Sequence, residues 1–87
     1  MEFEWDDQKA KSNLQKYGID FRDAIAAFFD PYRIETEDEA SHEERYRVIG
    51  AAHGRVLFVV YTWREDVIRI ISARKATYHE REQYYSN

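Results

Sequence analysis

Two turn signals cut the second half of this chain into three strands and leave little choice in how they pair. His53-Gly54 and Arg64-Glu65-Asp66 separate Arg45 to Ala52, Val56 to Trp63 and Val67 to Ala73, three segments rich in β-branched and aromatic residues. Turns this short join antiparallel neighbours. Val56 to Val60 shows no alternation, as expected of a central strand covered on both faces.

The first half supplies the cover. Glu2 to Trp5 alternates polar and apolar residues and reads as a short strand with Phe3 and Trp5 on one face. Asp6 or Asp7 then caps a helix in which Ala10, Asn13, Leu14 and Tyr17 fall at helical spacing, and Gly18 ends it. A second helix follows with Asp20 as its cap, Ile19 stapling onto Ala24, an apolar stripe of Phe21, Ala24, Ile25 and Phe28, and a stop at Asp30-Pro31. Tyr32 to Thr36 reads as a strand, and the acidic segment from Glu37 to Glu44 as a solvated connection. Lys75 to Tyr85 is helical by propensity, with Ser72 or Thr77 near its start and Ser72 read as the cap. The predicted order is β-α-α-β-β-β-β-α, an α+β domain: an antiparallel sheet with two N-terminal helices packed on it and a third helix at the C-terminus. With no repeat, linker or low-complexity tract, residues 1–87 read as a single domain.

Composition narrows the chemistry. The absence of cysteine excludes a disulfide framework, a Cys-based zinc site and a thiol nucleophile. His42, His53 and His79 are too scattered for a paired-histidine metal motif, and the acidic cluster around His42 lacks a second histidine, so no metal and no cofactor is expected. None of the four serines sits in a nucleophile-elbow context. The acidic N-terminus lacks the regions of a signal peptide and the longest apolar run is too short for a bilayer, which points to a cytoplasmic protein without a membrane partner. Net charge is −4, yet residues 1–44 carry five Lys and Arg against thirteen Asp and Glu, while residues 45–87 carry eight against four. The second half thus suits an anionic ligand and the first a basic partner, unless folding mixes the two.

The segment Val67 to Arg74, VIRIISAR, places Arg69 inside a core strand and Arg74 at its end. A buried guanidinium needs an anion, so Arg69 either bridges a carboxylate across the sheet or lines a phosphate site. Cleavage of RNA suits such a chain, because the ribose 2′-hydroxyl is itself the nucleophile and the protein need supply only fixed positive charge and proton carriers. Arg45, Arg69 and Arg74 offer the charge. His42, Glu43, Glu44, Lys16, Tyr61 and His79 offer candidate proton carriers, and tyrosines or tryptophans can stack on unpaired bases. Each has a plain alternative: Glu44 beside Arg45 can be an ion pair at a strand start, Tyr61 a core residue with its hydroxyl at the edge, and Lys16 a complement to its helix dipole.

The series FEWD (Phe3 to Asp6), KAKSNLQKYGIDF (Lys9 to Phe21), AIAAFFDP (Ala24 to Pro31), HEERYRVIG (His42 to Gly50), GRVLFVVYTWR (Gly54 to Arg64) and RIISARKATYHERE (Arg69 to Glu82) closely resembles the BrnT toxins of bacterial type II toxin–antitoxin systems. The resemblance implies a RelE-like fold and a metal-independent endoribonuclease that inhibits translation. It also implies neutralisation by a BrnA-like antitoxin, through which alone the complex would reach operator DNA. Carried over residue by residue, the family's arginines fall on Arg45, Arg64 and Arg74, its acidic pair on Glu43 and Glu44, and its first-helix lysine on Lys16. Arg69, Tyr61, Tyr17 and His42 are then the candidate RNA contacts. One position departs: the family's Lys-His-Gly is Lys16-Tyr17-Gly18 here, and a phenol is a poor base at neutral pH. A non-catalytic interaction module on the same scaffold is the competing reading. A small DNA-binding regulator is a third, opposed by the negative charge and the lack of a helix-turn-helix signature.

Overall fold

The computed structural model describes residues 1–38 and 44–87. Its elements are β1 (Glu2–Glu4), α1 (Asp7–Tyr17), α2 (Phe21–Ala24) running into a 3₁₀ segment (Ile25–Phe29), β2 (Ile34–Asp38), β3 (Arg45–Ala52), β4 (Arg55–Arg64), β5 (Val67–Lys75) and α3 (Tyr78–Tyr85). The five strands form one sheet in the order β1-β5-β4-β3-β2. The predicted α+β architecture holds, with β2 to β5 an antiparallel meander. β1 adds to the edge of β5 in parallel, which makes the sheet mixed. No tight turn announces that pairing, because the chain passes through both N-terminal helices and three strands before β1's neighbour is made.

The covered face holds the main core. Val48 of β3, Leu57, Val59 and Tyr61 of β4 and Ile68, Ile70 and Ala73 of β5 pack against Ile19, Phe21, Ala24, Ala27 and Phe28. Gly50 is required there by a close approach: a Cβ at this position would lie 2.6 Å from the Ala27 carbonyl oxygen. The tighter 3₁₀ winding of Ile25–Phe29, where a continuous α-helix is expected, stacks Ala24 and Ala27 toward the sheet and turns Phe29 outward. On the opposite face α3 covers only one end, where Ala76 and Tyr84 meet Ile49 and Val56. Both faces of β4 are therefore covered at that end, which explains its unbroken apolar run.

Local chemistry moved three boundaries. The Asp30 carboxylate accepts the Tyr32 N–H at 3.0 Å and its carbonyl accepts the Arg33 N–H at 3.1 Å, a turn that delays β2 from Tyr32 to Ile34. β2 then continues through Glu37 and Asp38, which pair with Tyr46 and Arg45, so the acidic connection starts later than the charge pattern suggested. Ser72 is not a cap. It lies within β5 opposite Val60, and Thr77 caps α3 in a reciprocal box with Glu80.

Candidate nucleic-acid interface

Strict alternation would put Arg69 and Arg74, five residues apart, on opposite faces of β5. A bulge prevents this. Val60 pairs with Ser72 but Tyr61 pairs with Ile70, so Ile71 has no opposite residue and the phase of the strand shifts by one. Ile68, Ile70 and Ala73 all reach the core, while Arg69, Ser72 and Arg74 share the other face with their partners Thr62, Val60 and Phe58. Arg47 pairs with Val60 and so joins that face, as does Arg45 two residues earlier. Arg64, two beyond Thr62, completes the set.

Five arginines from three strands thus stand on one face, away from the helix-packed core. Arg69 and Arg74 are four β4 residues apart, from Thr62 to Phe58, which is about 13 Å along the strand. Carboxylates hold several of them. Glu4 accepts from Arg69 at 2.8 Å and lies 3.9 Å from Arg64, which is 65% exposed. Glu80 binds Arg74 through both oxygens at 2.8 and 3.0 Å. That pair holds the Glu80 carboxyl below its ordinary range and pushes the Arg74 guanidinium up. Arg47 donates to the Glu37 carbonyl at 3.4 Å. Glu44 is exposed at the entry to β3, its carbonyl accepting the Thr62 hydroxyl at 2.6 Å.

A cleft of ≈ 340 Å³ adjoins this face where β1 ends and leaves the rest of β5 as an edge. Lys9, Ser12, Lys16 and Tyr17 of α1 line it opposite Ile71 and Ser72. Asn13 builds the junction: its amide accepts the Ala73 N–H at 3.0 Å and donates to the Ala73 carbonyl at 2.8 Å, standing in for a neighbouring strand, and it also donates to the Ile19 carbonyl. The Lys16 ammonium lies 5.2 Å from the Tyr17 ring centroid, and Tyr17 is in electrostatic reach of Arg74.

Most of the expected residues therefore converge: Arg45, Arg64, Arg69 and Arg74 on the face, and Lys16 and Tyr17 at its border, while Glu44 is exposed just before β3. Tyr61 does not. It is 3% exposed, stacked on Tyr46 and edge-on to Phe28, with its hydroxyl donating to Glu35 at 3.2 Å, so no ring face is open to a base. Burial, followed by the nearby Glu35 carboxylate, pushes its phenol up. His42 and Glu43 lie outside the described residues. His79 is exposed on α3, and His53 occupies the β3–β4 turn near Asp23. Sequence reading missed Arg47, though its two-residue spacing from Arg45 on a strand was the signal. It also missed the partners Glu4, Glu80 and Asn13, which only the folded neighbourhood reveals. Among the described residues no group of three or more His, Asp or Glu converges as a metal site, and no helix is long and apolar enough to cross a membrane.

Fold and surface together define a small α+β domain that presents arginines on one sheet face beside a lysine-lined cleft. The family model described as ribonuclease toxin, BrnT, of type II toxin–antitoxin system matches residues 5–80, and the chain belongs to that family. No curated protein matches it. Membership in a type II system implies an antitoxin partner.

Proposed function

We propose that this chain is an endoribonuclease that draws single-stranded RNA across the arginine face and cleaves it without a metal, thereby arresting translation. The placement of Arg45, Arg47, Arg64, Arg69 and Arg74 on one face carries the reading. Arg69 and Arg74 stand about 13 Å apart along β4, farther than one phosphate spans, so the two ends do different work. Arg74 takes the scissile phosphate, with Lys16 and Tyr17 facing it from the cleft that meets the same strand at Ile71 and Ser72. The 2′-hydroxyl attacks the adjacent phosphorus, its proton passes to water, and the departing 5′-oxygen takes a proton from Lys16 or Tyr17, leaving a 2′,3′-cyclic phosphate. Arg74 stabilises the charge of the pentacoordinate intermediate. Arg45, Arg64 and Arg69, with Glu44 at the rim, hold the flanking backbone. A BrnA-like antitoxin covers this face in the inactive complex and supplies any contact with operator DNA, and the site of action is the cytoplasm.

Cleavage of an RNA oligonucleotide and arrest of translation by Arg74→Ala and Arg45→Ala test the reading, with circular dichroism to confirm folding. Arg74→Ala is expected to lower kcat by about 10²- to 10³-fold. Arg45→Ala is expected to weaken binding and to reduce the slope of log affinity against log salt by about 0.7. Full activity in both variants rejects the site. A non-catalytic interaction module is favoured by one observation, the commitment of Arg69 and Arg74 to internal carboxylates. Expression without an antitoxin separates the two readings, since only a ribonuclease arrests growth with loss of RNA.

A further inference from the structure

Arg74 is held with unusual completeness for a surface arginine. Its Nη1 and Nη2 each donate to one oxygen of Glu80, Nη1 also donates to the Lys75 carbonyl at 3.2 Å, and the guanidinium lies over Phe58, 4.1 Å from the ring centroid. Glu80 is fixed in turn. Its Oε1 accepts the Thr77 N–H at 2.8 Å, and its own N–H donates to the Thr77 hydroxyl at 3.2 Å. One carboxylate therefore both starts α3 and clamps the arginine.

A guanidinium has five N–H groups arranged in forks. Glu80 takes the end fork and the Lys75 carbonyl takes the outer hydrogen of Nη1. Nε–H and the outer hydrogen of Nη2 form the side fork, which meets no acceptor among the described residues. Two parallel donors in that geometry match two oxygens of a phosphodiester.

We propose that Glu80 is the positioning residue for Arg74, locking the end fork so that the side fork is held in advance for the scissile phosphate. This rests on the reading of the arginine face as the RNA site. Glu80 does not touch RNA in this arrangement. Its negative charge opposes anion binding while its geometry raises the share of bound RNA in a productive pose, so its removal lowers kcat without weakening binding.

Steady-state cleavage of an RNA oligonucleotide by the full chain, as wild type, Glu80→Ala, Glu80→Gln and Tyr84→Phe, tests this. Tyr84→Phe is the control for α3 docking: it removes the bond from the Tyr84 hydroxyl to Asp30 at the far end of the helix and leaves Arg74 and Glu80 untouched. Glu80→Ala is expected to lower kcat by about 10- to 100-fold without raising KM. Glu80→Gln, which keeps one acceptor oxygen, recovers part of that kcat. Tyr84→Phe lowers the melting temperature and leaves both constants in place. The proposal is overturned by an unchanged or higher kcat in Glu80→Ala, or by the same kcat loss in Tyr84→Phe. Should Glu80→Ala not fold, Glu80→Gln decides by its kcat alone. A wild-type chain that cleaves no RNA overturns the ribonuclease reading first, and this one with it.

Discussion

The two faces of the sheet are built from the same strands by opposite rules. On the helix-covered side, Val48, Leu57, Val59, Ile68 and Ile70 are buried with no charge among them. On the other side the same three strands carry five arginines, and the carboxylates that meet Arg69 and Arg74 arrive from β1 and α3, at the two ends of the chain. The first face is organised to exclude water. The second is organised to hold positive charge at fixed positions while leaving it accessible, which adds little to stability when ion pairs are exposed. One face should therefore govern folding and the other function, and substitutions can show whether that separation is real.

The largest effect should come from Leu57→Ala. Leu57 is fully buried near the start of β4, between β3 and β5, and its truncation leaves a cavity in the main core. A loss of about 2–5 kcal/mol in urea unfolding is expected, while the folded fraction should still bind RNA with unchanged salt dependence. A changed salt slope would show that the faces are coupled through β4.

Asn13→Ala should come next, and it sits on the seam between the faces. The substitution strands the Ala73 N–H and carbonyl and removes a donor from the Ile19 carbonyl, at a cost of about 1–3 kcal/mol for a buried group left unpaired. It also releases the register of α1 against β5. If α1 delivers Lys16 and Tyr17 to the scissile phosphate, kcat must fall together with stability in this variant, whereas Leu57→Ala lowers stability alone. Retained kcat in a destabilised Asn13→Ala protein would remove α1 from the catalytic arrangement.

What could be read from the sequence divides along the same line. β3 and the His53-Gly54 turn fall where expected because turn residues and β-branched runs are local signals: His53 and Gly54 both take positive φ, as a two-residue hairpin demands. The BrnT resemblance was carried by motifs spread over the whole chain, and the family assignment bears it out. What stayed hidden was long-range. The parallel docking of β1 depends on chain ends meeting, and the bulge at Ile71 depends on which isoleucine of the Ile70-Ile71 pair the core selects. That choice decides whether Arg69 and Arg74 share a face, so the site could not be assembled from alternation. Ser72 was misread as a cap because the strand continues two residues past Ala73, where Phe58 and Leu57 still offer β4 partners to Arg74 and Lys75.

Glu4→Gln should give the smallest change in stability and the sharpest view of the arginine face. One carboxylate serves two cations there, with Arg69 at 2.8 Å and Arg64 at 3.9 Å, and its side chain is 36% exposed. An ion pair of this exposure contributes about 0–1 kcal/mol, so the melting temperature should hardly move. RNA affinity should rise a few-fold, because two guanidiniums lose a competing anion and the face gains a unit of positive charge. Its salt dependence should steepen as phosphate replaces Glu4 as their counter-charge. Fluorescence anisotropy with a labelled oligonucleotide across a salt series measures both. Weaker binding would mean that Glu4 orients Arg69 as Glu80 is proposed to orient Arg74; a lower melting temperature with unchanged binding would instead make this end of the face structural, confining RNA contact to the Arg74 end.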